Sequence, residues 1–177
     1  MKRLLLLLAV LTMGCSIPRT EPEGGPVPGQ VINSTAKVLI LAVQDGQEQG
    51  EKPANGSGKA MVAALGKVLM GHSVPFSTTE TLSNIQGFED AEKIGFDYVM
   101  KCTYTLWEHN LTAWTGKGDK VQISIEVFDV KTKQLIGVAG FYREGTGFTL
   151  ASGTPDRFIV ECADGALSKL YGWPSKN

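Results

Sequence analysis

Gly56-Ser57-Gly58-Lys59 stands where an apolar helical pattern begins. A glycine-rich turn followed by lysine is the composition with which phosphate-binding loops hold anions, through backbone amides and the ammonium group. The spacing departs from that pattern twice. Pro53 occupies the place of the loop's first glycine, and Ala60 follows the lysine where a Ser or Thr hydroxyl would hold magnesium. The stretch therefore reads as a plain helix start. The two histidines, His72 and His109, fall in different loops without the spacing of a metal pair, so neither a metal nor another cofactor is expected. No G-x-S-x-G elbow places a serine nucleophile. Asp45, Glu108 and His109 are the acid and base candidates that fall near one another in the element order, and nothing in their spacing makes them converge. The chain is expected not to be an enzyme.

Cys102 and Cys162 both occupy inward positions of their elements, the wrong setting for an exposed low-pKa nucleophile. Two readings stay open for them. In an oxidising compartment they would form a disulfide closing a loop of about 60 residues and adding roughly 4 kcal/mol on the chain-entropy account. Otherwise they pack as two small apolar groups.

The elements that position these residues follow from periodicity. Val38 to Val43 is a continuous apolar run stopped by Gln44-Asp45-Gly46, the pattern of a strand buried on both faces. Met61, Ala64, Leu65, Val68 and Leu69 recur at helical spacing and are closed by Gly71. A short strand over 74–77, a helix over 80–94 ending at Gly95, and a strand over 97–106 come next. In that strand Tyr98, Met100, Cys102, Tyr104 and Leu106 alternate with polar residues. Val121, Ile123, Ile125 and Val127 mark one arm of a hairpin whose return strand covers 135–142. Thr154, as cap, and Pro155, at the first position, open a last helix that turns Phe158, Ile159, Cys162, Ala163, Ala166, Leu167 and Leu170 to the core. The order β-α-β-α-β-β-β-α predicts one α/β domain over 37–174, a mixed sheet with helices on one or both faces.

In such sheets ligands and partners meet the carboxyl ends of the parallel strands, where loops vary above a rigid scaffold. Those ends bring Asp45, Ser57, Thr79, Trp107, Glu108 and His109 to one edge, with Trp114 in the loop that follows; these are the candidate partner-binding residues. Trp107 is in phase with Thr103 and Thr105, which points it outward. Two readings of the tryptophans stay open: exposed anchors for a partner, or cover for a small cluster beneath the long loop.

The chain opens with Lys2 and Arg3, an apolar run from Leu4 to Leu11, and Gly14 directly before Cys15. The run is far shorter than the roughly 20 residues that span a bilayer, so residues 1–14 read as a signal peptide. The small residue before a cysteine is a lipobox pattern, with Cys15 the lipidated residue and the membrane reached through its acyl chains. Thr12 departs from the leucine more usual three places before the cysteine, and Ser16 in the next position resembles an outer-membrane address. Losing Lys2 and Arg3 from 17 basic residues leaves 15 against 18 acidic ones, which argues against nucleic acid as a partner. Residues 15–36 read as a tether, whose Pro- and Gly-rich stretch from Ile17 to about Gln30 reaches some 40 Å at roughly 3.1 Å per residue.

The element order, this tether and the segment from Leu106-Trp107-Glu108 to Trp114-Thr115-Gly116-Lys117 together resemble a small family of Gram-negative lipoproteins of unknown function. The element order also resembles TolB amino-terminal-like and CsgG-like periplasmic domains. The near resemblance covers about Lys37 to Tyr171. It implies an outer-membrane lipoprotein facing the periplasm that binds another envelope protein as an accessory or regulatory factor, without cofactor or catalysis. The alternative is a binder of a small ligand or glycan at the same strand-end loops. The oligomeric state is not legible.

Overall fold

Val38, Leu39 and Ile40 are at most 2% exposed because the sheet they enter is covered on both faces at this point. The computed structural model describes residues 20–110, 117–145 and 153–174, so Cys15 and Trp114 lie outside the described residues. Its strands are β1 (Thr20–Pro26), β2 (Val38–Ile40), β3 (Phe76–Thr78), β4 (Tyr98–Glu108), β5 (Lys120–Asp129) and β6 (Leu135–Glu144). Its helices are α1 (Ser57–Gly71), α2 (Asn84–Ile94) and α3 (Ile159–Tyr171), the last preceded by a 3-10 turn over Pro155–Phe158. The strands form one mixed sheet in the order β1-β6-β5-β4-β2-β3. β2 pairs in parallel with β3 and β4, and the remaining pairs are antiparallel. The α/β mixed sheet expected from the sequence is therefore present, with helices on both faces.

One face carries the main core. Met61, Leu65 and Leu69 of α1 and Cys162, Ala166 and Leu170 of α3 pack there against Met100, Ile123, Ile125 and Ala139. Among the described residues, the other face is covered where α2 lies. Ala91, with Phe88 beside it, meets Leu39, Leu41 and Val99 in a smaller cluster. Gly87 lets α2 approach so closely that a Cβ there would stand 2.6 Å from Leu41 Cδ2.

Three expectations are corrected. The first concerns the tether, because Thr20–Pro26 form a strand of the sheet. β1 pairs antiparallel with β6 along its whole length, Thr20 opposite Arg143 and Pro26 opposite Gly137. A Pro/Gly-rich segment serves here because an edge strand pairs on one side only, so prolines without an N–H are tolerated. Gly24 is required: its φ is +79°, and a Cβ there would overlap the Val138 carbonyl. Beyond β1, Ile32 (4% exposed) and Ala36 (8%) complete the core. The element order accordingly gains a leading strand.

The second correction is at Trp107. The β4–β5 ladder runs Tyr104 to Ile123 and then Leu106 to Gln122, so Thr105 is an extra residue in a β-bulge. A bulge shifts the alternation by one. Trp107 thus falls on the same face as Tyr104 rather than beside the polar residues it follows.

The third concerns boundaries. β2 ends at Ile40 rather than Val43, and α2 begins at Asn84 rather than residue 80, capped by the Ser83 hydroxyl, which accepts from the Gln86 amide. Thr154 makes no side-chain cap bond, and Pro155 opens the 3-10 turn, not the helix proper. Among the described residues, no helix is long and apolar enough to cross a membrane.

Candidate functional site at the strand ends

Beyond Ile40 the chain continues alongside β4 without joining its ladder, after a last bond from the Leu41 amide to the Met100 carbonyl at 2.9 Å. This path delivers Asp45 to the start of α1. Its Oδ1 accepts from the Gly58 amide at 2.8 Å and its Oδ2 from the Gly56 amide at 3.2 Å. The residue at the N-cap, Gly56, is left-handed and has no side chain to cap with, so the carboxylate supplies the cap from 13 residues away in sequence. A carboxylate already sits where an anion would bind, which agrees with the helix-start reading of Gly56 to Lys59. Ser57 is buried, and its hydroxyl accepts from the Gly46 amide at 2.8 Å. The Tyr104 hydroxyl donates to the Ser57 carbonyl at 3.0 Å. Burial pushes the Tyr104 phenol well above its ordinary value, so it remains a donor.

Trp107 is 6% exposed and stands edge-to-face with Tyr104, ring centroids 5.1 Å apart. A Cβ on Gly46 would overlap its indole carbons. Of the two readings left open by the sequence, the structure places Trp107 in the second: it props the loop and offers no exposed face. Trp114 lies outside the described residues.

Glu108 and His109 are half-buried just beyond Trp107. Glu108 accepts from Lys120 Nζ at 2.9 Å and from Asn110 Nδ2 at 3.2 Å. The hydrogen bond from Lys120 holds its carboxyl below the usual carboxylate range, and the same bond raises the lysine. The His109 amide donates to Glu48 Oε2 at 3.2 Å, joining the long loop to the end of β4. The Asn110 amide donates to Asp119 Oδ1 at 3.0 Å, and Arg157 donates to Asp119 Oδ2 at 2.8 Å. Asp119 is only 4% exposed and also accepts from Gly145 through its carbonyl. The roots of two loops are tied here to the turn before α3. Composition did not single out Asp119 and Arg157, because neither belongs to a motif and they are 38 residues apart.

Among the described residues, a pair of clefts lies along this edge. The larger, about 410 Å³, lies between the α1 start and the ends of β2 and β3, and Asp45 and Thr79 line it. The smaller, about 210 Å³, runs between Asp45 and Trp107. Asp45 lines both, whereas Glu108 and His109 line neither. Neither of these two clefts, among the described residues, brings the three acid and base candidates together. Among the described residues, no group of three His, Cys, Asp or Glu side chains could hold a metal ion.

Cys102 and Cys162 are buried in the main core as free thiols. Burial pushes the Cys162 thiol up to about 12 and Cys102 higher still, the latter reinforced by Cys162 nearby. At the opposite end of the sheet, Trp173 stacks on His72 at 3.7 Å and on Tyr171 at 4.3 Å between ring centroids. This clasp of the α1 and α3 ends was missed because its three members lie in separate segments or in no pattern.

No family model and no curated protein matches this chain. Solved structures do share its fold. It is similar to PelC from Paraburkholderia phytofirmans, a dodecamer, at 15% identity and a TM-score of 0.64 over 88% of this chain and 98% of that one. It is also similar to lipoprotein GNA1162 from Neisseria meningitidis, at 12% identity and a TM-score of 0.52 over 75% of this chain and 96% of that one. At these identities the likeness is one of fold.

Proposed function

We propose that this chain is an outer-membrane lipoprotein, acylated at Cys15, whose strand-end surface faces the membrane that anchors it and docks a protein seated in that membrane. The observation that carries the reading is a register. Thr20 pairs with Arg143, Arg143 with Val121, and Val121 with Trp107, so the first described residue sits at the same end of the sheet as the candidate site. Four residues lie between Cys15 and Thr20, and the five steps from one to the other reach at most about 18 Å when fully extended. A lipid at Cys15 therefore holds the strand-end loops close to the bilayer, instead of letting the domain drift some 40 Å away. A periplasmic side of the outer membrane fits the Ser16 address, and the fold shared with a Neisseria lipoprotein supports an envelope setting.

Trp107 serves that surface from beneath, by supporting the loop, while Glu108, His109 and Thr79 are the candidate contacts. The PelC dodecamers make self-association a component of the test. Photo-crosslinkers placed in cells at His109 and, as a control, at Lys131 in the β5–β6 turn discriminate the outcomes. A discrete membrane-protein adduct at His109 and none at Lys131 is expected. A ladder of multiples of this chain would make the partner another copy, and adducts at Lys131 alone would overturn the reading.

A further inference from the structure

The larger strand-end cleft, which shares Thr79 with the proposed docking surface, carries an inference about a small ligand. Its apolar lining comes from Ala42 and Val43 beyond β2 and from Val62 of α1, beside the polar Thr78 and Thr79. Lys59 and Glu80, both exposed, line it from α1 and from the segment after β3. Neither side chain has an ion-pair or hydrogen-bond partner among the described residues, although each borders the same cleft with the opposite charge. Asp45, the remaining charged group of the lining, already accepts one amide on each oxygen. A cleft lined by apolar side chains and by separate, solvent-exposed charges of both signs is complementary to a dipole rather than to an ion of one sign. The two carboxylates against one ammonium also disfavour simple anions such as phosphate. A volume of about 410 Å³ suits a ligand of a few heavy-atom groups.

We infer that this cleft binds a small zwitterion, an α-amino acid or dipeptide with free ends, its carboxylate toward Lys59 and its ammonium toward Glu80. Binding is of the weak class that an open site with two charge contacts supports, with Kd on the order of 1 mM.

The test is a titration of the full chain in detergent micelles, followed by amide chemical shifts at Gly58, Thr79 and Lys59. The probes are alanyl-alanine, its carboxamide and its N-acetyl form, each to about 10 mM, roughly ten times that Kd. Alanyl-alanine is expected to shift these amides with each blocked form about tenfold weaker. Lys59→Met should erase the discrimination against the carboxamide alone, and Glu80→Gln the discrimination against the N-acetyl form alone. Both side chains are exposed, so both variants should keep the parent's melting temperature. Equal binding of the carboxamide would make this a cation site, equal binding of the N-acetyl form an anion site, and no shift with any probe would leave the cleft empty of function; each overturns the inference. No partner protein enters the experiment, so its failure leaves the docking reading untouched.

Discussion

Trp107 closes against the backbone of Gly46, so closely that a Cβ at Gly46 would overlap the indole carbons. This contact couples the long loop after β2 to the end of β4 and fixes the level at which the candidate surface begins. Gly46 has an ordinary backbone conformation, with no positive φ, so its role is close approach rather than turn freedom. Gly46→Ala should therefore cost about 1–3 kcal/mol, as overpacking does. Trp107→Ala should cost about 3–5 kcal/mol. Urea unfolding with unchanged m-values checks both. If Trp107→Ala left the midpoint in place, the indole would not be part of the core.

The Glu108–Lys120 pair should leave a mark on the pH dependence of stability. Glu108 has its pKa lowered on folding by the Lys120 hydrogen bond, so its contribution is fully present above the ordinary carboxylate pKa and is lost as pH falls through the depressed folded value. Lys120 is raised, so its share is present below the ordinary lysine pKa and lost as pH rises through the folded value. Each side chain is about a quarter exposed (25% and 26%), which keeps the pair to about 0.5–1 kcal/mol. The melting difference between the parent and Glu108→Gln should stay level from about pH 5 to 9 and close in acid below it. A difference that widened in acid would contradict the pairing.

Both core cysteines should be inert to alkylation in the folded chain and react once it unfolds, because burial raises both thiols. Peptide mapping after alkylation with and without denaturant reads this directly. Labelling of both sites only under denaturant is expected. A disulfide-linked peptide pair would instead show that the thiols close a bridge between β4 and α3 in the envelope.

Much of the scaffold was legible because it rests on side-chain burial. The Val38 run, the alternation of β5 and the inward face of α3 are all written in apolar spacing. β1 was not legible, since backbone bonds to β6 hold it and Pro/Gly composition does not report such bonds. The phase of Trp107 was lost to one bulged residue, Thr105, which no periodicity rule anticipates. The cap from Asp45 escaped because helix-start rules look immediately before the helix, whereas this carboxylate arrives from a distant loop. Asp45 and Thr79 line one cleft and Ser57 lies beside Asp45 at the start of α1, a proximity that follows from the parallel pairing of β2 with β3 and β4.

The most direct measurement is energy transfer from a donor at His109 or at Lys131 to acceptor-labelled lipid headgroups, with the acylated protein in vesicles. The two positions lie at opposite ends of strands ten residues long, about 30 Å apart along the sheet. Strong transfer from His109 and weak transfer from Lys131 is predicted for a domain held with its strand ends toward the bilayer. Equal transfer from both, or stronger transfer from Lys131, would contradict that orientation and with it the proposed docking surface.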